Sequence, residues 1–391
     1  MSARAAGLPS EEEIARRCSA VRAAMGEAGL DALVVSGSEY TGFEGAVRYL
    51  SGFRIVHRYA YVLLPASGEP CVVFPSEARY VGEHGGGFVQ EQVFADRPGA
   101  WLAEQLLARR ARRVGVYGLD YVMCVRDYLA LAESDLEIVA FDDQFDLARA
   151  VKSPEELESV RRTMAINEAG FWAVHAAYRP GRTQAELMAE AEALFARAGT
   201  GRQTMDMVLW GRKGSATPEF RIPEAVEPIE PDDLLLYSLE VAGPGGHWVE
   251  FTRPLSRGPL SPATEAMLEA YGAYFEAAPR ALAAGSTAHD AHRAVARPFL
   301  EGGFRLGHVT GHSIGMTMIE HPRIGDGVEV ELREGMVVSM HPHAISADGT
   351  ACMYMQDTWL VAAGRAELLS SVPARVFDGD EARPVPGSAA G

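Results

Sequence analysis

The chain has 391 residues, 48% hydrophobic and 23% charged, which is typical of a globular protein with enough material for two domains. Its 53 acidic and 36 basic residues give a net charge of −17, which argues against partners such as nucleic acid or an anionic membrane. No secretory signal or membrane-spanning run is evident and the four cysteines are scattered, so we expect a cytoplasmic protein with reduced thiols.

The first 150 residues alternate between helical and strand-like segments. Helices are predicted over residues 11–29, 98–111 and 124–133. The strand-like segments lie at 32–36, 60–64, 70–74, 113–117 and 137–141. Because strands and helices alternate, we expect residues 1–150 to form one compact α/β domain.

A domain boundary is predicted at the segment that follows. Ser153 is placed to cap a helix, Pro154 occupies its first position, and Glu156 stands three residues after the cap. This capping box predicts a long helix that ends near residue 178. We expect a second domain over 151–372 and a flexible tail over 373–391.

The second domain contains a weak internal repeat. A second capping box starts a helix at Thr183, and Ser261 and Thr287 are placed to begin two more helices. Each pair of helices is followed by strand-rich sequence. This pattern predicts two αα-ββ halves within one domain, although helix pairs in general use such turns.

Histidines are the most informative titratable residues. Five of the eleven crowd into one glycine-rich stretch, at His308, His312, His321, His341 and His343. Glycines allow the backbone to approach a site closely, so clustered histidines favour a functional role over a structural one.

Several motifs occur in the order found in the creatinase/prolidase/aminopeptidase P family, which is peptidase family M24. They are Tyr49-Leu-Ser-Gly-Phe, Lys152-Ser-Pro-Glu-Glu, Arg179-Pro-Gly, Glu250-Phe-Thr-Arg, Thr310-Gly-His-Ser-Ile-Gly, Glu320-His-Pro-Arg-Ile, Gly335-Met-Val-Val and Gln356-Asp-Thr. The resemblance covers nearly the whole chain. It implies a creatinase-type N-terminal α/β domain, an α+β "pita-bread" catalytic domain with pseudo-twofold halves, and a homodimer.

Peptidases of this family hold two divalent metal ions with Asp, Asp, His, Glu and Glu, in that order. Carried over onto this chain, the five slots fall at Leu239 or Glu240, then at Glu250, His312, His341 and Gln356. Two neighbouring cations repel each other and need bridging carboxylates, and a neutral amide at Gln356 bridges poorly. We therefore expect the dinuclear site to be lost.

A site for a single metal ion is compatible with the same residues. The resemblance puts Glu250, His312, His341 and Gln356 around the first metal position. Two imidazoles, a carboxylate and an amide oxygen suit Zn²⁺, Mn²⁺ or Fe²⁺. Creatinase works without a metal, so one divalent ion per chain and no cofactor remain alternatives.

Other residues bear on catalysis and substrate binding. The candidate catalytic residues are Glu240, Glu250, His308 and His321. The family's second histidine, seven positions after the metal ligand, is Ile319 here, and the loop over 211–219 lacks the histidine that creatinase and prolidase carry. Peptide hydrolysis by the usual machinery is therefore not expected.

The substrate is expected to be a small molecule that carries a carboxylate. Two arginines in the N-terminal domain suit bidentate carboxylate binding, and the resemblance implies that this region reaches the active site of the partner subunit. The candidate substrate-binding residues are Arg54, His57, Arg58, Trp248 and Tyr354.

Three functions remain open at this point. The first is hydrolysis of a C–N bond in a small non-peptide substrate, with one metal ion or none. The second is a mononuclear non-haem iron oxygenase or lyase on the same scaffold. The third is a non-catalytic binding module.

Overall fold

A computed structural model describes residues 8–40, 42–85, 87–200, 204–211, 220–223, 225–231 and 233–378. The chain divides into two compact units. The first comprises the described residues of Met1–Ser159 together with Pro244–Trp248 and Ile314–Pro322, and the second comprises the described remainder. Every helix in the described part of the chain is too short or too polar to cross a bilayer.

A six-stranded mixed sheet forms the centre of the first unit, in the order β4-β3-β2-β1-β5-β6. Its strands are β1 (Ala32–Ser38), β2 (Tyr59–Pro65), β3 (Cys71–Pro75), β4 (Glu91–Ala95), β5 (Arg113–Tyr117) and β6 (Glu137–Ala140). Strand β1 pairs antiparallel with β2 and parallel with β5. The five predicted strands are confirmed, and β4 is a sixth that was not predicted.

Helices cover both faces of this sheet. They are α1 (Glu11–Glu27), α2 (Gly45–Ser51), α3 (Pro98–Ala108), α4 (Val125–Ala132) and α5 (Asp142–Ala148). Alternate residues of β1 enter opposite cores, because successive side chains of a strand point to opposite faces. Leu33 and Val35 pack with residues of α1, α2 and α5, and Val34 packs with residues of α3 and α4.

The second unit contains two helix pairs, each followed by strands, as the sequence repeat predicts. The first pair is α6 (Pro154–Ala177), which begins in the first unit, and α7 (Gln184–Arg197), and the second is α8 (Pro262–Ala281) and α9 (Ala288–Glu301). Both predicted capping boxes form. Ser153 and Glu156 exchange hydrogen bonds of 3.1 and 3.0 Å between side chain and backbone, and Thr183 and Glu186 do the same.

Three sheets carry the residues of the candidate site. The first is built from β7 (Thr204–Gly211), β8 (Phe220–Arg221), β9 (Leu234–Ala242), β10 (Trp248–Glu250) and β11 (Leu255–Ser256). The second has the order β12-β16-β17, and the third has the order β14-β13-β15-β18-β19. Their strands are β12 (Arg305–Leu306), β13 (Gly311–Ser313), β14 (Glu320–Ile324), β15 (Val337–Met340), β16 (His343–Ile345), β17 (Cys352–Tyr354), β18 (Asp357–Leu360) and β19 (Glu367–Leu368).

The expected flexible tail, 373–391, is described only as far as residue 378. Within that part Phe377 is buried and forms a β-bridge with Leu255. Residues 379–391 and most of the histidine-free loop, 212–219, lie outside the described residues.

Candidate metal centre

Three side chains of the metal-ligand type meet in the interior of the second unit. Glu250 lies on β10, His312 on β13, and His341 directly after β15, and all three are buried. Each offers one ligand atom, and these atoms all lie within 4.8 Å of one another. Glu250 Oε1 is 3.3 Å from His312 Nε2. Among the described residues, this is the one group of three such side chains close enough to share an ion.

Hydrogen bonds orient two of these three side chains. His312 Nδ1 donates to the Ser313 carbonyl at 2.9 Å, which directs Nε2 toward Glu250. Ser339 is paired with His312 across β13 and β15, and its hydroxyl donates to Glu250 Oε2. Ser339 stands two positions before His341 on the same strand face. The sequence analysis missed Ser339, although the two-residue period of a strand could have indicated it.

Gln356 lies between two carboxylates. Its Nε2 donates to Glu240 Oε1 at 3.0 Å and to Glu250 Oε2 at 3.2 Å. Ser238 also donates to Glu240 Oε1, at 2.5 Å. Leu239 precedes Glu240 on β9, so its side chain points to the opposite face of the strand. The structure therefore places Glu240, and not Leu239, beside the group.

The carboxylates and imidazoles of the site have shifted pKa values. Burial and the charge of Glu250 raise the pKa of Glu240 to about 8. Burial also acts to raise the pKa of Glu250, but the charge and hydrogen bond of His312 outweigh it and lower the value to about 2. Burial lowers the pKa of His341 to about 3. Glu250 is thus ionised and His341 neutral at pH 7, the protonation states in which these side chains bind metal.

The polar atoms of the site fit a metal ion. His341 Nδ1 and Gln356 Oε1 are buried, and neither has a hydrogen-bond partner among the described residues. A buried polar atom left unpaired is costly, so these two indicate a missing partner. Two imidazoles and a carboxylate suit a divalent transition-metal ion.

Further rings adjoin this group within the second unit. The His341 ring centroid lies 5.1 Å from that of His312 and 5.0 Å from that of His308. The His343 ring centroid lies 5.6 Å from that of His308 and 5.8 Å from that of Tyr354. The Tyr354 side chain hydrogen-bonds with Ser238. His308 is exposed, whereas His343 and Tyr354 are buried.

Two other predicted residues belong to the first unit. Trp248 is buried, and its backbone N–H donates to the Gly315 carbonyl at 2.7 Å. His321 has Nδ1 3.4 Å from Asp143 Oδ1, and its backbone N–H donates to Asp146 at 2.9 Å. Their proposed roles in catalysis and substrate binding remain predictions.

The three predicted substrate-binding residues Arg54, His57 and Arg58 also belong to the first unit. The Arg54 side chain lies 3.9 Å from a carboxylate oxygen of Glu44, and that of Arg58 lies 3.0 Å from a carboxylate oxygen of Glu77. His57 Nδ1 lies 3.4 Å from the hydroxyl oxygen of Tyr80. The two arginines are thus already close to carboxylates of their own unit.

Both parts of the chain match known protein families. Residues 17–151 match the creatinase/prolidase N-terminal domain, and residues 158–363 match metallopeptidase family M24. The probable dipeptidase PepE of Mycobacterium bovis is 29% identical over 349 residues, which cover 85% of this chain and 88% of that protein.

Two further proteins are similar to this chain. The Xaa-Pro dipeptidase of Pyrococcus furiosus is 27% identical over 241 residues, covering 60% of this chain and 67% of that protein. The crystal structure of dipeptidase PepE from Mycobacterium ulcerans superposes with a TM-score of 0.77 at 25% identity, covering 95% of this chain and 99% of that one.

Proposed function

The chain belongs to metallopeptidase family M24, and from that premise we propose that it hydrolyses a C–N bond of a small amide with one divalent metal ion. Glu250, His312 and His341 would hold this ion, with Gln356 Oε1 as the fourth ligand. The observation that carries the proposal is the convergence of three ligand atoms within 4.8 Å. A divalent ion there would polarise a carbonyl oxygen and make a nearby water more acidic.

The charges of the surrounding side chains support a particular number of bound ions. Two cations a few ångströms apart need negative bridging groups, and Gln356 supplies a neutral amide. Its N–H group is engaged with Glu240 and Glu250, which leaves only the carbonyl oxygen for a cation. This arrangement supports one ion per chain, of Fe, Mn or Zn, where M24 peptidases use two.

Glu240 is the proposed proton carrier. It lies next to the three ligands but outside their group, so its carboxyl group is left for proton transfer. In hydrolysis, the oxygen of water bonds to the carbonyl carbon while the C–N bond breaks, and a proton of that water passes to the leaving nitrogen. Because its pKa of about 8 keeps Glu240 mostly protonated at pH 7, it would give its own proton to the leaving nitrogen and then take up the proton that the water releases, and the exposed His308 would contact the substrate.

The substrate is proposed to be a small amide that carries a carboxylate. The relatives are named as dipeptidases, which favours an enzyme over a non-catalytic binding module and makes dipeptides the first compounds to assay. They give no support to the expectation of a non-peptide substrate, so non-peptide amides come second. A homodimer in which Arg54, His57 and Arg58 serve the partner's site is part of the same proposal.

A mononuclear iron enzyme is the second candidate. One observation favours it: two histidines and one carboxylate are the ligands of many non-haem iron oxygenases. Tightly bound iron and substrate-dependent consumption of O₂ would support it over hydrolysis.

The deciding experiment is elemental analysis of protein purified without a histidine tag, together with an amide-hydrolysis assay. The panel would contain Xaa-Pro dipeptides, other dipeptides and small non-peptide amides, each with Mn²⁺, Zn²⁺ or Fe²⁺ added. One ion per chain with amine release would support the proposal. Two ions per chain, or hydrolysis that persists after complete metal removal, would contradict it.

A further inference from the structure

Asn167 lies in the middle of α6, where its side chain is fully buried in the second unit. Its side-chain amide donates to the Leu239 carbonyl at 2.9 Å and to the Val249 carbonyl at 3.5 Å. Leu239 is on β9 and Val249 is on β10, and these two strands are neighbours in their sheet. One side chain of the helix therefore bonds to two adjacent strands.

The two carbonyls belong to the peptide groups that lead directly into the acidic residues of the site. Leu239 precedes Glu240, and Val249 precedes Glu250. Because a peptide group is planar, a carbonyl oxygen that is held in place also restrains the N–H and the Cα of the next residue. The hydrogen bonds of Asn167 therefore restrain the backbone from which each glutamate side chain extends.

Further hydrogen bonds hold the same stretch of backbone. The Phe251 N–H donates to the Leu239 carbonyl at 3.3 Å, which joins β9 to the residue after β10. The Thr358 hydroxyl accepts from the Glu250 N–H at 3.0 Å and donates to the Glu250 carbonyl at 2.9 Å. Thr358 thus fixes the backbone of one glutamate, whereas Asn167 connects the peptide groups that precede both.

The asparagine at this position carries a cost to stability. Asn167 Oδ1 is buried and has no hydrogen-bond partner among the described residues, which is unfavourable for folding. Asparagine is also a weaker helix former than leucine, which has a similar branched shape. Leucine would avoid both costs but would lose the N–H donor that the two strands share. The cost is consistent with a role beyond stability.

We propose that Asn167 is a positioning residue, whose amide sets the backbone separation of Glu240 and Glu250 at the metal centre. The inference rests on the proposed function, because that function assigns these two glutamates to proton transfer and metal binding. Gln356 connects the same carboxylates at their tips, at 3.0 and 3.2 Å. Asn167 acts on the peptide groups behind them, so its loss would let the two carboxylates move relative to each other.

Cobalt binding tests this role independently of the reaction. The visible absorption of bound Co²⁺ depends on the geometry of its ligands, and titration of the metal-free protein gives the dissociation constant. We expect Asn167→Leu, which loses the donor but keeps a branched shape, to weaken Co²⁺ binding about tenfold and to alter the absorption bands. Asn167→Ala also lacks the donor and favours the helix, so it covers the case in which leucine prevents folding.

Tyr178→Phe is the matched control. Tyr178 directly follows α6, and its hydroxyl donates to the Asp233 carbonyl at 3.0 Å, just before β9 begins. This variant also removes a hydrogen bond from a buried side chain to the backbone, but at the end of β9 that is far from Glu240. We expect it to lower the melting temperature while the dissociation constant and the spectrum of Co²⁺ stay those of wild type.

The outcomes separate the positioning role from the reaction. Wild-type Co²⁺ affinity and an unchanged spectrum in the folded Asn167 variants would overturn the role. Equal changes in Tyr178→Phe would also overturn it, because they would show that a general loss of stability is the cause. If wild type hydrolyses no amide but the Asn167 variants still bind Co²⁺ more weakly with altered spectra, the proposed function fails and the positioning role stands.

Discussion

Gln356 Nε2 lies 3.2 Å from Glu250 Oε2, so a neutral amide donates a hydrogen bond to a carboxylate of the candidate metal centre. The same nitrogen donates to Glu240 at 3.0 Å. A glutamine therefore connects two buried acidic side chains. This relationship leads to the first prediction.

Gln356→Glu should destabilise the metal-free protein. The change replaces a donor to two carboxylates by a third carboxylate, so two hydrogen bonds are lost and like charges meet. We expect a loss of about 3 kcal/mol in the free energy of unfolding in EDTA, measured by denaturant titration. Mn²⁺ should restore more stability to this variant than to wild type. Gln90→Glu is the exposed control, and equal Mn²⁺ stabilisation of all three proteins would refute the prediction.

His341→Ala should remove the bound metal ion. The variant takes away one of two imidazoles in a group of three ligands, so metal content should fall from about one ion per chain to a small fraction of that. Elemental analysis after desalting measures it. His289→Ala is the matched control, because His289 is paired with Asp326 on the surface of the same unit. Full metal content in His341→Ala would show that the ligands are assigned wrongly.

Arg253→Ala should unfold the second unit more readily. Arg253 is fully buried, and its guanidinium donates to both Asp357 oxygens at 2.9 and 3.0 Å. Removing it leaves a buried carboxylate unpaired, for which we expect a cost of about 3–5 kcal/mol. Arg253→Lys keeps the charge but loses the bidentate pair. Its loss in unfolding free energy should therefore be smaller than that of Arg253→Ala but still measurable against wild type.

The exposed pair of Arg161 with Glu367 provides the comparison for Arg253. These side chains approach to 2.8 Å but remain solvated. Arg161→Ala should therefore cost less than about 1 kcal/mol. Denaturant unfolding of both alanine variants measures the difference, and similar costs for the two would disprove the buried-pair argument.

Acid should weaken the first unit partly through Glu156. Burial acts to raise the pKa of Glu156, but a hydrogen bond and the charge of His247, with Arg17, lower it from 4.5 to about 2. Because the folded-state pKa is depressed, the stabilisation is complete above about pH 4.5 and is lost as the pH falls toward 2. The shift corresponds to about 3 kcal/mol at pH 7.

Glu156→Gln isolates this contribution. The difference in unfolding free energy between wild type and the variant should be largest at pH 6–7 and should shrink as the pH falls from about 4.5 to 2. The control is Glu155→Gln, because Glu155 is the exposed neighbour of Glu156. The unfolding free energy of this variant should differ little from that of wild type at every pH. A wild-type advantage over Glu156→Gln that is constant from pH 7 to pH 2 would contradict the linkage.

Local signals in the sequence were sufficient for most of the fold. Helix caps act over three residues, so Ser153 and Thr183 could be recognised without tertiary information, and both caps form. The order of the motifs predicted the two domain types. The strand β4 and the helices α2 and α5 were not predicted, because short elements depend on tertiary packing more than on local pattern.

The sequence by itself determined the α/β and αα-ββ architecture and the residue types that could bind a metal ion. Only the tertiary structure decided that Glu240, and not Leu239, faces the site, and that Gln356 connects it to Glu250. The reason is physical: a side chain's face depends on strand register, and that register is set by pairing between segments that are distant in sequence.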